Sequence, residues 1–182
     1  IWVGVGNEPR ADDVIPGDAF VGKKTLVYLA FPETIVSIST YAFYNSNLSG
    51  ALVLPDDVVS IGDNAFSSTT IGSVTFNSRL ETIKSSAFNN CGSLSGELHF
   101  PQSLKRIEES AFSGCGLSGK LILPDNLEYL GELAFYDAGT FVGDLWIPEK
   151  ITRLYGRTFE KCEFQGMLHL NNVTKYGQGD FI

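Results

Sequence analysis

Long apolar runs, concentrated positive charge and paired cysteines are all scarce in this 182-residue sequence. Each apolar stretch, such as "LVYLAF" at residues 26–31, is stopped within a few residues by Pro, Asp or Gly, so none is long enough to cross a bilayer. The 21 acidic residues outnumber 13 basic ones, which do not cluster, and this disfavours nucleic acid and anionic membranes as partners. The three cysteines include no Cys-x-x-Cys pair, which excludes a disulfide framework and a zinc site of that kind.

The remaining composition is that of a folded protein. With 43% hydrophobic and 19% charged residues, the chain is long enough and apolar enough to bury a sizeable core. The opening residues "IWVGVGNEPR" show no secretory signal pattern, which leaves the compartment open.

Phenylalanine recurs along the chain at a nearly constant interval. Successive steps are 22 to 24 residues, and a fixed period in the twenties is typical of a solenoid. Apolar residues stand five and eight positions before most of these phenylalanines, and Pro or Asn stands about eleven before, so one unit reads roughly "LxLPxxLxxIGxxAFxxCxxLxG". The recurring residues are Phe20, Phe43, Phe66, Phe88, Phe112, Phe135, Phe159 and Phe181.

Just ahead of the prolines, strict alternation of apolar residues predicts a short strand. In "GALVLP", "GKLILP" and "GDLWIP" the inward residues are expected to be Leu52, Leu54, Leu121, Leu123, Leu145 and Ile147. Pro then ends the strand. The following segment is expected to turn the chain across the far side, with Gly50, Gly62 and Gly131 at corners that need a permissive backbone.

The Ala-Phe pair predicts the same corner of every coil. We expect each Phe to enter the core and to stack on its equivalents above and below, while the small Ala lets neighbouring backbones approach closely. One unit of this size cannot bury its apolar edge alone, so stability has to come from stacking.

The repeated phrase resembles the BspA-like leucine-rich repeat family. "LVLPDDVVSIGDNAFSST" and "LILPDNLEYLGELAFYDA" match its signature at nearly every position, and the resemblance covers roughly residues 9 to 182. It implies a mainly β solenoid, a right-handed coil of short parallel strands with about 23 residues per repeat. We expect a single array over residues 1–182: a degenerate or cap-like 1–31, repeats at about 32–54, 55–76, 77–100, 101–123, 124–147 and 148–170, and a partial repeat 171–182.

The resemblance also implies a biological setting. Family members are usually bacterial surface or secreted proteins, and some are associated with adhesion to host proteins or other cells. No catalytic residue, cofactor or metal comes with the family. Because an uncapped solenoid end exposes its core, we expect this chain to be a fragment, followed by a further repeat or a capping domain.

The outward residues of the predicted strands form the candidate binding face, hereafter the sheet face. Exposed aromatic and large apolar residues are enriched at interaction hot spots, and a face without need of apolar groups carries several. A partner protein or glycan is expected there. The alternatives are that a flanking domain covers these residues, or that they are single exposed apolar residues of the kind a protein surface tolerates without a function. The candidate residues are Tyr28, Glu97, His99, Lys120, Ile122, Asp144, Trp146, Met167 and His169.

Metal binding at this face is not expected. His99 and His169 lie three coils apart, or roughly 14 Å at the strand spacing, which is too far for one ion to bridge. Glu97, Lys120 and Asp144 alternate in charge on adjacent coils. Their spacing allows side-chain pairs, but such pairs contribute little to stability and usually form a solvated surface.

Two further functions remain open at this stage. A polysaccharide-processing enzyme would need converging acid and base groups, but Glu97 and Asp144 lie two coils apart, at roughly 10 Å, with Lys120 between them. A structural spacer is not excluded. Cys91, Cys115 and Cys162 share one column with Ser, Thr and Ala and are expected to be structural thiols, although Cys91 and Cys115 lie on adjacent coils, where a disulfide is conceivable.

Overall fold

The computed structural model describes residues 13–179, which wind into a stack of coils joined by parallel strand pairing. Over these residues the secondary structure is short strands and turns, without a helix, so no segment among them has the length and apolar character of a membrane-spanning helix. The parallel-strand solenoid predicted from the repeat is confirmed.

Fourteen strands of two to six residues run through the described part of the chain. They are β1 (Val14–Ile15), β2 (Ser37–Ile38), β3 (Ser49–Val53), β4 (Ser60–Ile61), β5 (Thr70–Thr75), β6 (Thr82–Ile83), β7 (Ser95–Gly96), β8 (Arg106–Ile107), β9 (Gly116–Gly119), β10 (Tyr129–Leu130), β11 (Gly139–Val142), β12 (Leu145–Trp146), β13 (Glu163–Gln165) and β14 (Leu168–His169).

The longest ladder lies where the sequence predicted only a turn. Six two-residue strands, in the order β1-β2-β4-β6-β8-β10, pair in parallel just before the Ala-Phe corner. Each contributes one buried aliphatic residue, as Ile61 does in β4 and Ile83 in β6, both fully buried. The expected turn is present, as at residues 56–57, but the strand that follows it was not predicted, because a strand of two residues is too short to show alternation. A second ladder joins β7, β9, β11 and β13 on another side of the coil.

The strand before each Pro alternates as predicted. Leu52, Leu54, Leu121, Leu123, Leu145 and Ile147 are 0–6% exposed. Between them, Val53, Ile122 and Trp146 are 62%, 56% and 56% exposed.

These strands form no continuous sheet, however. Pairing joins β3 to β5, His99 to Ile122 through an isolated bridge, and β12 to β14.

Unequal unit lengths account for two of the gaps in this sheet. Paired residues such as Trp146 and His169 are 23 positions apart. Thr75 and His99 are 24 apart, as are Ile122 and Trp146, and no strand pairing joins either couple. The longer units carry one extra residue between the corner Phe and the strand, which displaces the strand from the register of its neighbour.

Seven phenylalanines line up in one internal file, as predicted. From Phe20 to Phe159, neighbouring ring centroids are 5.1 to 5.8 Å apart and the ring planes differ by 3° to 11°. All but Phe20 are 0–1% exposed. Phe181, the eighth, lies outside the described residues.

Backbone hydrogen bonds between coils fix the Ala-Phe corner. In one coil the amides of Tyr41, Phe43 and Asn45 donate to carbonyls of the next coil, at 2.8, 2.8 and 2.9 Å. The intervening amides of Ala42, Tyr44 and Ser46 instead donate to carbonyls three residues back, at 3.3, 3.1 and 3.1 Å. The corner therefore alternates between bonding its neighbour and bonding itself. The carbonyl that accepts from Phe43 belongs to Ala65, which is fully buried.

This alternation requires left-handed backbone on both sides of each Phe. The residues two before the phenylalanines from Phe20 to Phe159 have φ of 53° to 63°, and those two after have φ of 51° to 67°. Asn, Asp, Ser and Gly fill most of these positions, in keeping with their tolerance of that region.

The glycines expected at corners act in two ways. Gly50 has φ of +78°, a conformation that side chains disfavour. At Gly62 and Gly131, the reason is proximity: a Cβ there would lie 2.5 Å from the carbonyl carbon of Ser39 or the amide nitrogen of Glu109, respectively.

Asn77 shows how a unit without Pro keeps its shape. Its side-chain amide donates to the carbonyls of Pro55 and Val58, the latter at 3.0 Å, and its Oδ1 accepts from the amide of Arg79 at 2.8 Å. These bonds hold the turn that Pro fixes elsewhere.

We predict that Phe88→Ala lowers the free energy of unfolding by roughly 3–5 kcal/mol, because it removes a fully buried ring that packs against two neighbours in the file. Urea denaturation followed by circular dichroism measures the change. Tyr28→Ala, which truncates a side chain that is 80% exposed, is the control and should be close to neutral. Equal stability of the two variants would contradict the stacked core.

A second prediction concerns the left-handed corner. Ser110 has φ of 55°, so Ser110→Val should cost about 1–2 kcal/mol, because a β-branched side chain clashes with the backbone in that region. Ser110→Gly, which accepts the same φ, should be nearly neutral. The midpoint of thermal unfolding distinguishes them, and a Val variant as stable as the Gly variant would refute the corner geometry.

Candidate binding face

The sheet face is a set of outward side chains that follow one another along the coil axis. Of the nine candidate residues, Tyr28, Ile122, Trp146 and Met167 are large apolar groups that are 80%, 56%, 56% and 64% exposed. The other five candidate residues, Glu97, His99, Lys120, Asp144 and His169, are polar or charged.

The gap between Ile122 and Trp146 divides the face. On one side, Glu97, His99, Lys120 and Ile122 share two bridged coils; on the other, Asp144, Trp146, Met167 and His169 share β12, β14 and the residues before them. We call these the central group and the platform group. Tyr28 stands apart, near the start of the described chain.

Trp146 and His169 form a flat aromatic stack in the platform group. They are register partners in the β12–β14 pair, which brings their side chains to the same side at one coil spacing. The ring centroids lie 3.5 Å apart and the planes differ by 2°. The imidazole side chain is 24% exposed and the tryptophan residue 56%, so the indole presents most of the accessible surface.

Asp144 holds this stack in place. Its Oδ2 lies 3.0 Å from Nε2 of His169, and its Oδ1 accepts a 3.0 Å hydrogen bond from the backbone amide of Met167. The pKa of Asp144 is lowered, first by the hydrogen bond from the Met167 amide and then by the one from His169. The carboxylate thus links the strand of one coil to two atoms of the next.

In the central group, too, a carboxylate accepts a hydrogen bond from a backbone amide of the next coil. Oε2 of Glu97 accepts a 3.2 Å hydrogen bond from the backbone amide of Lys120, and Oε1 lies 3.9 Å from Nδ1 of His99. The side-chain pairs that the charge alternation allowed are not formed by Lys120: over residues 13–179 its ammonium enters no ion pair, in keeping with a solvated surface. A backbone amide one coil away is the nearer donor for each carboxylate.

A groove of about 630 Å³ opens beside Trp146. Four polar residues contribute to its walls: Asp125, Glu149, Lys150 and Asn171. The Lys150 ammonium donates to Oε1 of Glu128 at 3.0 Å, and the Asn171 amide donates to the carbonyl of Ile147 at 2.7 Å. Ordered donors and exposed carboxylates therefore surround one side of the indole.

A second groove of about 630 Å³ lies near the other end of the face. Ala30, Ala51 and Val53 are among its apolar lining residues, and Glu33 and Asp56 contribute carboxylates to its walls. It contains no aromatic side chain from the sheet face.

The three thiols are structural groups. Sγ of Cys91, Cys115 and Cys162 donates to the carbonyl of the corner Phe in the preceding coil, at 3.1, 3.3 and 2.7 Å. All three are free thiols, so Cys91 and Cys115 are not joined. Burial raises the pKa of each, that of Cys162 to about 11, so they stay protonated near neutral pH and are poor nucleophiles.

Metal-ligand geometry is absent from the described part of the chain: no three His, Cys, Asp or Glu residues converge there as ligands. His99 and His169 belong to different groups of the face. Glu97 and Asp144 also lie in separate groups, and each accepts a backbone amide of its neighbouring coil.

The Trp146–His169 stack and its Asp144 support are the features that sequence reasoning missed. Both rings were assigned to one outward column, and they are 23 residues apart, the commonest coil spacing. A shared outward column together with a separation of one coil is the sequence signal that predicts stacking of these two rings. The polar groove residues were missed because they lie at or just after the Pro position and belong to the turn.

Comparison with known proteins identifies the family to which this repeat belongs. The model of the BspA type leucine-rich repeat region matches six copies, over residues 12–116 and 96–182. No curated protein matches the chain.

Solved structures show the same fold. A leucine-rich repeat protein of T. pallidum is 25% identical with a TM-score of 0.69, over 86% of this chain and 76% of that one. A leucine-rich cell surface protein from Faecalibacterium prausnitzii is 20% identical with a TM-score of 0.53, over 86% of this chain and 58% of that one. A leucine-rich repeat protein from Bacteroides ovatus is 19% identical with a TM-score of 0.52, over 93% and 67%.

We predict that the Asp144 carboxyl titrates below an ordinary aspartate, measured by carbon-detected NMR. Because its folded pKa is lowered, its stabilising contribution is present above the unfolded pKa and is lost as the pH falls through the folded pKa. The stability difference between the parent and Asp144→Asn should therefore be largest near neutral pH and shrink in acid. Met167→Ala, which keeps the backbone donor, should leave the pKa lowered; an ordinary value in the parent would contradict this account.

Proposed function

Because the chain belongs to the family of BspA-type leucine-rich repeat proteins, we propose that it is a non-enzymatic binding scaffold whose sheet face recognises a protein or glycan partner outside the cell. Solenoids of this kind expose extended surfaces on which successive coils place side chains in columns. The nine sheet-face residues are the proposed contacts.

The observation that carries this proposal is the exposed platform. Trp146 is 56% exposed although one of its faces lies against His169, and its neighbours on adjacent coils include Ile122 and Met167, also exposed. An exposed tryptophan among large apolar groups is the composition of interaction hot spots. The His169 ring on which Trp146 stacks is held by Asp144 before any partner arrives, which lowers the entropic cost of binding at this position.

A surface or secreted location is part of the proposal. The family resemblance supports it, and one protein of the same fold, from Faecalibacterium prausnitzii, is described as a cell surface protein. We propose a partner on a host or neighbouring cell. The net charge of -8 argues against nucleic acid.

Catalysis receives less support from the same face. Leucine-rich repeat proteins are generally non-enzymatic, and here Glu97 and Asp144 belong to separate groups. The hydrogen bond that Asp144 accepts from the backbone amide of Met167 lowers the pKa of that carboxyl. A general acid needs the opposite, a carboxyl whose pKa is raised.

The proposal is tested with the purified full chain against immobilised extracellular matrix proteins and a glycan array. The double variant Ile122→Ala/Trp146→Ala should weaken binding to any ligand found by about tenfold or more. The control is Val59→Ala/Lys105→Ala, which truncates exposed residues beside the six-stranded ladder and should bind as the parent does. Equal binding by the face variant and the parent would refute the proposed surface.

A further inference from the structure

We propose that the Trp146–His169 stack is a subsite for one pyranose ring of a neutral oligosaccharide whose hydroxyls are equatorial, such as a β-linked glucose or N-acetylglucosamine chain. This inference rests on the proposed function and commits that function to one ligand class at one position. Four properties of the platform group support it.

The first property is rigidity. The indole and imidazole planes differ by 2° at 3.5 Å, and the imidazole is held by Oδ2 of Asp144 at 3.0 Å. The other carboxylate oxygen is fixed by the backbone amide of Met167 at 3.0 Å. The ring of Trp146 therefore has a defined orientation without ligand, which suits a contact that depends on flat surfaces meeting in parallel.

The second property is exposure. With one face on His169, Trp146 still exposes 56% of its surface. A pyranose whose hydroxyls are all equatorial carries its axial C–H groups on its two faces, and these faces are flat and apolar. Such a face is complementary to an exposed indole, since the electron-rich ring attracts the C–H dipoles.

The third property is the chemistry around the indole. The adjoining groove offers the carboxylates of Asp125 and Glu149, the ammonium of Lys150 and the amide of Asn171. Over the described residues, Asp125 and Glu149 enter no ion pair, so their oxygens can accept from hydroxyl groups. Sugar hydroxyls donate and accept at once and can use both kinds of partner, with charge-assisted bonds to the carboxylates.

The fourth property is the polar character of the groove wall beside the indole. A protein hot spot is surrounded by packed contacts that exclude water. In this groove the residues beyond Pro148 are charged or carry an amide, and they would remain hydrated against an apolar partner. A nucleobase would stack equally well, but its phosphates would meet Asp125, Asp144 and Glu149 in a protein of net charge -8.

Tryptophan fluorescence tests the inference directly. The chain has two tryptophans, so Trp2→Phe leaves Trp146 as the reporter in an otherwise full chain. Titration with cellopentaose and with chitopentaose should give a saturable change for at least one of them. Mannopentaose, whose 2-hydroxyl is axial, should bind at least about threefold more weakly than the better of the two.

Calorimetry on variants then locates the site. Trp146→Ala should weaken binding of the same oligosaccharide by about tenfold or more. Trp146→Phe, which retains an aromatic ring, should keep a measurable part of the parent's affinity. His169→Ala should also weaken it, because the platform loses its support. Tyr41→Ala, which truncates an exposed aromatic at the Ala-Phe corner, outside the sheet face, is the matched control and should bind as the parent does. Thermal unfolding confirms that each variant is folded.

The outcomes separate this inference from the proposed function. No response to either glucose-configured oligosaccharide, or binding unaffected by Trp146→Ala, overturns the pyranose subsite. If the parent instead binds a matrix protein, and the Ile122→Ala/Trp146→Ala variant does not, the sheet face is a binding surface and only the assignment of a sugar ligand is wrong. If neither ligand class binds, both proposals fail.

Discussion

Hydrogen bonding between equivalent corners of successive coils is the constraint on which the rest of this solenoid depends. An amide at Phe must reach the carbonyl of the residue before the next Phe, at 2.7 to 2.9 Å, through six consecutive coils. That distance leaves no room for a large side chain beside the Phe, which accounts for Ala at this position in most units. It also sets the separation of the phenyl rings, which stack at 5.1 to 5.8 Å because their backbones are tied together.

The columns of the core could be predicted from the sequence, because the same residue types recur at the same phase of every unit. The file of phenylalanines and the buried leucines before Pro follow from period alone. The distribution of strands could not be predicted in the same way. Strands of two residues have no visible alternation. The six-stranded ladder exists because stacked Ile and Leu residues bring their backbones within hydrogen-bonding distance, a property of neighbouring coils that no single unit displays.

The sequence predicted which side chains of the binding face point outward, but it did not predict which residues those side chains contact. Alternation indicates that Trp146 and His169 point outward, but the stacking of their rings depends on two side-chain conformations and on Asp144. Charge alternation suggested ion pairs on this face, whereas the carboxylates bond backbone amides. The repeat spacing predicts the coil on which a residue lies. It does not predict which atom of the neighbouring coil a flexible side chain contacts.

One further consequence comes from the uniform corner. At the Ala-Phe corner, each coil within residues 13–179 offers its neighbours the same bonds and the same ring, so removing or duplicating a complete coil in the gene would leave each remaining corner junction of the same type. Such an event would change the spacing between the central and platform groups in whole steps of about 4.8 Å, the separation of paired strands. The length of the display surface, and thus the size of ligand that reaches from one group to the other, can evolve without any redesign of the interior.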